Sequence, residues 1–147
     1  FEISGRAIAE MRQPGIKPSG APKRITPALQ SEILAWLRPG DVFVTRHDDA
    51  LSNLFLPGFW PHAAMYLGRS GDHTPDWGDL PPAPETDAWF LEAKKDGVKV
   101  RPMSETLALD AFVVLRPPLA GDELQKGIQR ALSHRGKSYD FLFDFRT

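Results

Sequence analysis

The sequence contains no cysteine among its 147 residues. This absence excludes disulfide bonds, cysteine-ligated zinc sites and a thiol nucleophile within these residues. It leaves the compartment open, because a chain without cysteine is compatible with oxidising and with reducing surroundings. Any thiol chemistry in which this chain takes part would need a cysteine from outside these residues.

Long apolar runs and runs of one charge sign are also absent. No apolar stretch is long enough to cross a bilayer, and no basic start followed by an apolar run marks a secretory signal. Lysine and arginine total 18 and aspartate and glutamate 19, for a formal net charge of −1. Without clustered basic residues we expect no nucleic-acid partner. No phosphate-binding loop or dinucleotide fingerprint is present, and we expect no cofactor and no metal.

What is present is the composition of a folded domain. Hydrophobic residues make up 41% of the chain and charged residues 25%, and this length is enough for one ordinary hydrophobic core. Proline and glycine concentrate between residues 11 and 22, which predicts an extended N-terminal segment or linker over residues 1–25. We expect one domain over residues 26–147. Because the chain starts without methionine and ends abruptly, we expect that domain to be incomplete at its C terminus.

Alternating and β-branched segments predict strands through the middle of the chain. Residues 95–97 predict the tight turn of a hairpin, residues 69–87 a surface loop, and residues 112–115 a strand of the buried type. Strands outnumber long helices, which indicates an α+β domain. The five predicted strands cover residues 41–45, 63–67, 89–93, 98–101 and 112–115.

Three helices are predicted around these strands. Thr26 is a suitable N-cap for the first helix, with Pro27 at the first helical position. Ser104 is expected to cap a short second helix. The third helix starts at Asp122 and ends at Gly136, with apolar residues facing inward at four-residue spacing.

His62 is the leading candidate for chemistry, because it stands at the mouth of a predicted strand. There the sheet can hold the backbone while the ring faces a cleft. The alternative is a partly buried histidine hydrogen-bonded to a carbonyl group, and the pattern alone favours that alternative.

Glu92 lies within an otherwise apolar strand. Burying a carboxylate without a partner is costly, so a buried Glu92 needs a partner. The alternative is a glutamate on an edge strand that points to solvent, which strand alternation permits.

Three aromatic residues are candidates for a substrate pocket. Phe59 and Trp60 precede His62 and could form an apolar wall, although aromatic residues beside a strand are more often part of a core. Tyr139 follows the last predicted helix and could line a pocket or pack in the core.

The other polar residues have simpler interpretations. Asp41 follows a Pro-Gly turn and is interpreted as a structural turn carboxylate. Lys94 is interpreted as an exposed turn residue. Residues 46–49 (Arg-His-Asp-Asp) could suggest a metal site, but no second pair of ligands occurs at helical spacing, which favours a solvated loop.

Four short motifs, taken in their order along the chain, resemble the circularly permuted papain-like hydrolases of the NlpC superfamily, most closely the YiiX-like branch. The resemblance spans most of the chain beyond the linker and implies a permuted papain-like α+β fold, with a central antiparallel sheet packed with helices. The motifs are Leu-Arg-Pro-Gly-Asp at 37–41, Pro-His-Ala-Ala-Met-Tyr-Leu-Gly at 61–68, Phe-Leu-Glu-Ala at 90–93 with Gly-Val at 97–98, and Gly-Lys-Ser-Tyr-Asp-Phe at 136–141.

The resemblance also implies a role for each candidate. His62 would take the proton of a cysteine thiol and later give a proton to the leaving group. Glu92 would hold the histidine in the required tautomer, and Tyr139 would line the pocket. In the family the nucleophilic cysteine follows the last of these motifs, a position beyond residue 147.

The implied function is hydrolysis of an amide, in a cell-wall peptide or an acylated small molecule, by a Cys-His-Glu site whose cysteine lies outside this chain. These residues alone should be inactive. The missing cysteine is explained by a fragment, which we favour, by a second chain that supplies it, or by a relative without cysteine.

Two other functions stay open. The chain could be a non-catalytic module that binds a peptide or lipid, or a lipid acyl hydrolase or acyltransferase. The family resemblance favours a bacterial protein, in the cell envelope rather than the cytoplasm, but leaves the substrate and the oligomeric state undetermined.

Overall fold

A computed structural model describes residues 15–17, 21–50, 58–72 and 87–140. The predicted linker 1–25 and the predicted loop 69–87 lie largely outside these ranges. The helices are α1 (Pro27–Leu34), α2 (Met103–Thr106) and α3 (Gly121–Leu132), and the strands are β1 (Val42–Arg46), β2 (His62–Arg69), β3 (Ala88–Lys94), β4 (Gly97–Pro102) and β5 (Ala111–Leu115).

The five strands form one antiparallel sheet in the order β4-β3-β2-β1-β5. β3 and β4 form the predicted hairpin, in which Lys94 pairs with Gly97 across a tight turn. Gly97 has a φ of 96°, a left-handed conformation that glycine adopts without strain. The α+β class and the antiparallel sheet predicted from the sequence are confirmed.

Each face of the sheet packs against different helices, because successive side chains of a strand point to opposite faces. Phe90 of β3 belongs to a core with Phe43 and Tyr66 that includes residues of α1 and α2. Its neighbour Trp89 belongs to a second core that includes Ile128 of α3. Glu92, two residues after Phe90, therefore lies on the face that α2 covers.

The helix caps agree with the sequence at α1 but not at α2. Thr26 accepts a hydrogen bond from the backbone N–H of Leu29 at 3.3 Å, so its prediction as the N-cap is confirmed. The prediction for Ser104 is wrong, because the cap position lies two residues earlier, at Pro102, and α2 begins at Met103. The fixed φ of proline suits an extended residue at a helix start, and Ser104 falls within the first turn.

The prediction that residues 112–115 form a strand of the buried type is wrong in one respect. β5 exists, but it lies at the edge of the sheet, and the side chain of Leu115 is 52% exposed. Val113 and Leu115 lie on the face of the sheet that α3 covers. They are nevertheless exposed, because the core beneath α3 is built from β2, β3 and β4. Within the described residues, no helix has the length and apolar character needed to cross a membrane.

Candidate active site

His62 and Glu92 are in direct contact, with 2.6 Å between Nε2 of the ring and Oε2 of the carboxylate. The sheet register brings them together. Glu92 lies opposite Ala64, and His62 is two residues before Ala64 on the same face, which makes the pair diagonal neighbours across β2 and β3. The Glu92 side chain is fully buried, whereas that of His62 is 29% exposed. The ring therefore spans from a buried carboxylate to solvent.

The other oxygen of Glu92 is surrounded by donors. Oε1 accepts hydrogen bonds from the Thr106 hydroxyl at 2.9 Å and from Nζ of Lys94 at 2.8 Å. Nε of Arg101 lies 3.5 Å from the same oxygen, an ion pair rather than a hydrogen bond. Three groups thus engage Oε1, and Oε2 faces the histidine.

These contacts keep Glu92 ionised. Burial alone would raise the pKa of the carboxyl group, but the hydrogen bond from His62 and the charge of Lys94 outweigh burial and lower the pKa to about 2. An ionised carboxylate can only accept hydrogen bonds, so Nε2 of His62 is the donor. In a neutral imidazole one nitrogen donates and the other accepts, which makes Nδ1 the basic atom of the ring.

Arg101 connects the site to the β3–β4 turn. Its guanidinium group pairs with Asp96 at 2.5 Å and with Glu105 at 3.0 Å, and Lys99 pairs with Asp96 at 2.8 Å. The hydrogen bond from Lys99, together with that from Arg101, outweighs the opposing effect of burial and lowers the pKa of Asp96 to about 2. Arg101, which lies farther from Glu92 than Lys94 does, is thus already paired with the carboxylates of Asp96 and Glu105.

Phe59 and Trp60 form an exposed aromatic pair that shortly precedes His62 in the sequence. Their rings meet edge to face with centroids 4.8 Å apart, and the Phe59 side chain is 57% exposed. The guanidinium group of Arg46 lies 4.4 Å from the Phe59 ring centroid and donates a hydrogen bond to the Phe59 carbonyl at 3.0 Å. The alternative that these aromatics belong to the core is wrong for Phe59 and Trp60.

Tyr139 is half-buried and lies close in sequence to a contact with β4. The backbone N–H of Val98 donates to the carbonyl of Lys137, and that of Gly136 donates to the carbonyl of Val98, both at 2.9 Å. β4 starts at the same end of the sheet where β3 ends, so this segment approaches the end that holds Glu92. Burial, with a smaller effect of the Asp140 charge, raises the pKa of Tyr139 and keeps its phenol protonated at neutral pH.

Sequence reasoning missed the groups that hold Glu92. Lys94, interpreted as an exposed turn residue, donates to the carboxylate instead. Its position two residues after Glu92 was a usable signal, because residues two apart on a strand share a face. Thr106 had no such signal, since it is 14 residues from Glu92 and meets it only because α2 packs on the sheet.

A second charged cluster lies at the end of β1. Ligand atoms of His47, Asp49 and Asp110 lie within 4.8 Å of one another. Lys17 pairs with the buried Asp110, and Lys23 lies 3.6 Å from Asp110 and 3.5 Å from Asp49. These two ammonium groups balance the carboxylates, so the cluster joins the N-terminal residues to the domain.

Comparison with known proteins gives one match. A search among curated proteins and a search among solved structures each found none. A family described as "permuted papain-like amidase enzyme, YaeF/YiiX, C92 family" matches residues 36–147, which include all five strands. Because the match covers well over half of the chain, this protein belongs to the C92 family of permuted papain-like amidases.

Proposed function

We propose that this chain provides the general base and its orienting carboxylate to a cysteine amidase or peptidase, with a thiol that comes from outside these 147 residues. The observation that carries the proposal is the 2.6 Å contact between the partly exposed His62 and the fully buried Glu92. Membership of an amidase family supports an amide as the substrate. Catalytic roles for these two residues are part of the proposal.

In the proposed reaction, Nδ1 of His62 takes the thiol proton while Nε2–H stays bonded to Glu92. The thiolate attacks the carbonyl carbon of the amide, and the imidazolium then gives its proton to the departing amine. Water attacks the resulting thioester with His62 again acting as base, which releases the carboxylic acid and restores the thiol. Glu92 stabilises the imidazolium at each stage without accepting its proton.

The exposed aromatic pair supports a substrate with an apolar portion. Phe59 and Trp60 are three and two residues from His62 along the chain, and Arg46 contacts Phe59. Such a surface could receive an acyl chain or an apolar side chain of a peptide. We propose that Tyr139, with its protonated phenol, lines the same pocket from the β4 side.

The test starts from the complete gene product, whose intact mass and reading frame show whether a cysteine accompanies these residues. Release of amine from peptide amides and from acylated amines is then measured for the unchanged protein, His62→Ala and His134→Ala. His134, near the end of α3, is the matched histidine control. We expect His62→Ala to lower kcat/KM by roughly 10³-fold or more, with an unchanged unfolding midpoint. Full activity of His62→Ala would overturn the proposal.

A binding module without catalysis is the second candidate, and it applies if the complete gene product carries no cysteine. In that case the complete gene product would bind peptides or acylated amines in calorimetry and release no amine.

A lipid acyl hydrolase or acyltransferase is distinguished by its substrate. Lipid esters, with and without an acyl acceptor, are assayed beside the amides. An enzyme of either kind would turn over the lipid esters faster than any amide.

A further inference from the structure

α2 places a buried hydroxyl group against the carboxylate of Glu92. The Thr106 side chain donates from Oγ1 to Oε1 at 2.9 Å, and Thr106 is 4% exposed. The hydroxyl must be the donor, because the ionised carboxylate has no proton to give. A threonine in a helix often donates a hydrogen bond from its hydroxyl to a backbone carbonyl one turn earlier. The Thr106 hydroxyl donates instead to Glu92 of β3.

The orientation of the carboxylate matters because its last torsion is soft. The terminal torsion of glutamate has a broad distribution, unlike the staggered torsions nearer the backbone. The contact with His62 requires one carboxylate oxygen to face the ring, and donors on the other oxygen restrain the carboxylate in that orientation. Of the two groups that donate to Oε1, Lys94 reaches it with a long side chain that is 30% exposed. Thr106 reaches it with a short, buried side chain fixed by a packed helix.

We propose that Thr106 is a positioning residue of the site, which fixes the carboxylate of Glu92 so that Oε2 receives Nε2–H of His62. The inference rests on the proposed function for the importance of that tautomer in catalysis. Its geometric basis is the chain of two hydrogen bonds from Thr106 through Glu92 to His62. A purely structural role, in which the hydroxyl only satisfies a buried carboxylate, would affect stability and leave the histidine unchanged.

Two substitutions separate these roles. Thr106→Val keeps the shape of the side chain and removes the hydroxyl, whereas Thr106→Ser keeps the hydroxyl. Ser104→Ala removes an exposed hydroxyl from the same helix and serves as the control. If Thr106→Val does not fold, Thr106→Ala is used in its place.

The first readout is nuclear magnetic resonance of the His62 ring in the 147-residue chain, which needs no thiol and no turnover. At alkaline pH, where imidazole rings are neutral, ring ¹⁵N shifts identify the tautomer and water exchange reports on Nε2–H. We expect a protected Nε2–H in the unchanged chain, Thr106→Ser and Ser104→Ala. We expect loss of the protected resonance in Thr106→Val. A protected Nε2–H in Thr106→Val would overturn the inference.

The second readout is kinetic, in the complete gene product. We expect Thr106→Val to lower kcat roughly 10- to 100-fold with KM unchanged, and Thr106→Ser to restore most of the rate. If Thr106→Val changes the resonance but no variant has amidase activity, the positioning role stands and the proposed function fails. If activity is present and kcat of Thr106→Val is unchanged, the positioning role fails and the proposed function stands.

Discussion

Two buried carboxylates, Asp41 and Glu92, are used differently. Asp41, just before β1, receives two hydrogen bonds from Arg116, at 2.8 and 2.7 Å, and one from the backbone N–H of Arg38 at 2.9 Å. Glu92, near the end of β3, binds His62 on one oxygen and a group of donors on the other. The pKa of each carboxyl group is lowered, because these contacts outweigh the effect of burial.

The difference lies in the partners rather than in the burial. A guanidinium group and a backbone N–H keep their protons at every relevant pH, so the state of Asp41 cannot change through its partners. An imidazole ring can both accept and donate a proton, and His62 reaches solvent here, so Glu92 is in contact with a group that can exchange a proton. In this molecule the nature of the partner therefore separates the candidate catalytic carboxylate from the structural one. The interpretation of Asp41 as a structural turn residue is confirmed by its contacts.

The largest effect expected from substituting one of these two carboxylates is on turnover. Glu92→Gln should lower kcat/KM of the complete gene product roughly 10²- to 10⁴-fold, because an amide neither stabilises the imidazolium nor enforces one tautomer. Asp41→Asn is the matched control, and its kcat/KM per folded molecule should stay within about twofold of the unchanged protein. Steady-state amide hydrolysis, with the folded fraction measured separately, checks both values. Equal losses in the two variants would remove the distinction between the carboxylates.

The next effect is on stability in acid. The Glu92 carboxyl group has a pKa of about 2 in the folded chain against an ordinary value of 4.5. Its contribution is therefore complete above pH 4.5 and is lost as the pH falls toward 2, a loss on the order of 3 kcal/mol. Urea unfolding at several pH values measures this slope. In Glu92→Gln the slope over that range should be smaller, and parallel curves for the two proteins would contradict the assignment.

Much of the fold followed from local patterns in the sequence. The cap at Thr26, the hairpin turn at Gly97 and the alternation along β3 each depend on residues close together in the chain. The position of β5 did not follow, because strand order comes from pairing between distant segments, and an edge strand can have the composition of a central one.

The candidate site, like the fold, could be predicted only in part. His62 and Glu92 were identified from residue type and family resemblance, and period-two alternation with the observed register accounts for their contact. The donors around Oε1 could not be identified in the same way. Thr106 and Arg101 meet Glu92 only through the packing of α2 and the pairing of β4, which a single sequence does not specify.

A smaller effect is expected at the structural carboxylate. Asp41→Ala should lower the free energy of unfolding by about 2 kcal/mol, because it removes charge-assisted hydrogen bonds to Arg116 and to the Arg38 backbone. The loss is moderated because Arg116, at 42% exposure, stays hydrated without its partner. Chemical denaturation measures the loss, with Asp122→Ala in the exposed first turn of α3 as the control. A destabilised variant that also loses kcat/KM per folded molecule would link Asp41 to the active site.

The smallest effect concerns the shape of the cation that holds Asp41. Arg116→Lys keeps the charge but cannot donate to both carboxylate oxygens in the fixed planar geometry of a guanidinium group. Because the Arg116 side chain is partly exposed, we expect the loss in the free energy of unfolding to be smaller than that of Asp41→Ala. Arg130→Lys on α3 is the exposed control and should change stability by less than about 0.5 kcal/mol. A loss as large as that of Asp41→Ala would mean that the bidentate geometry, and not the charge, fixes this turn. No loss would mean that the charge of a flexible cation is sufficient to hold Asp41.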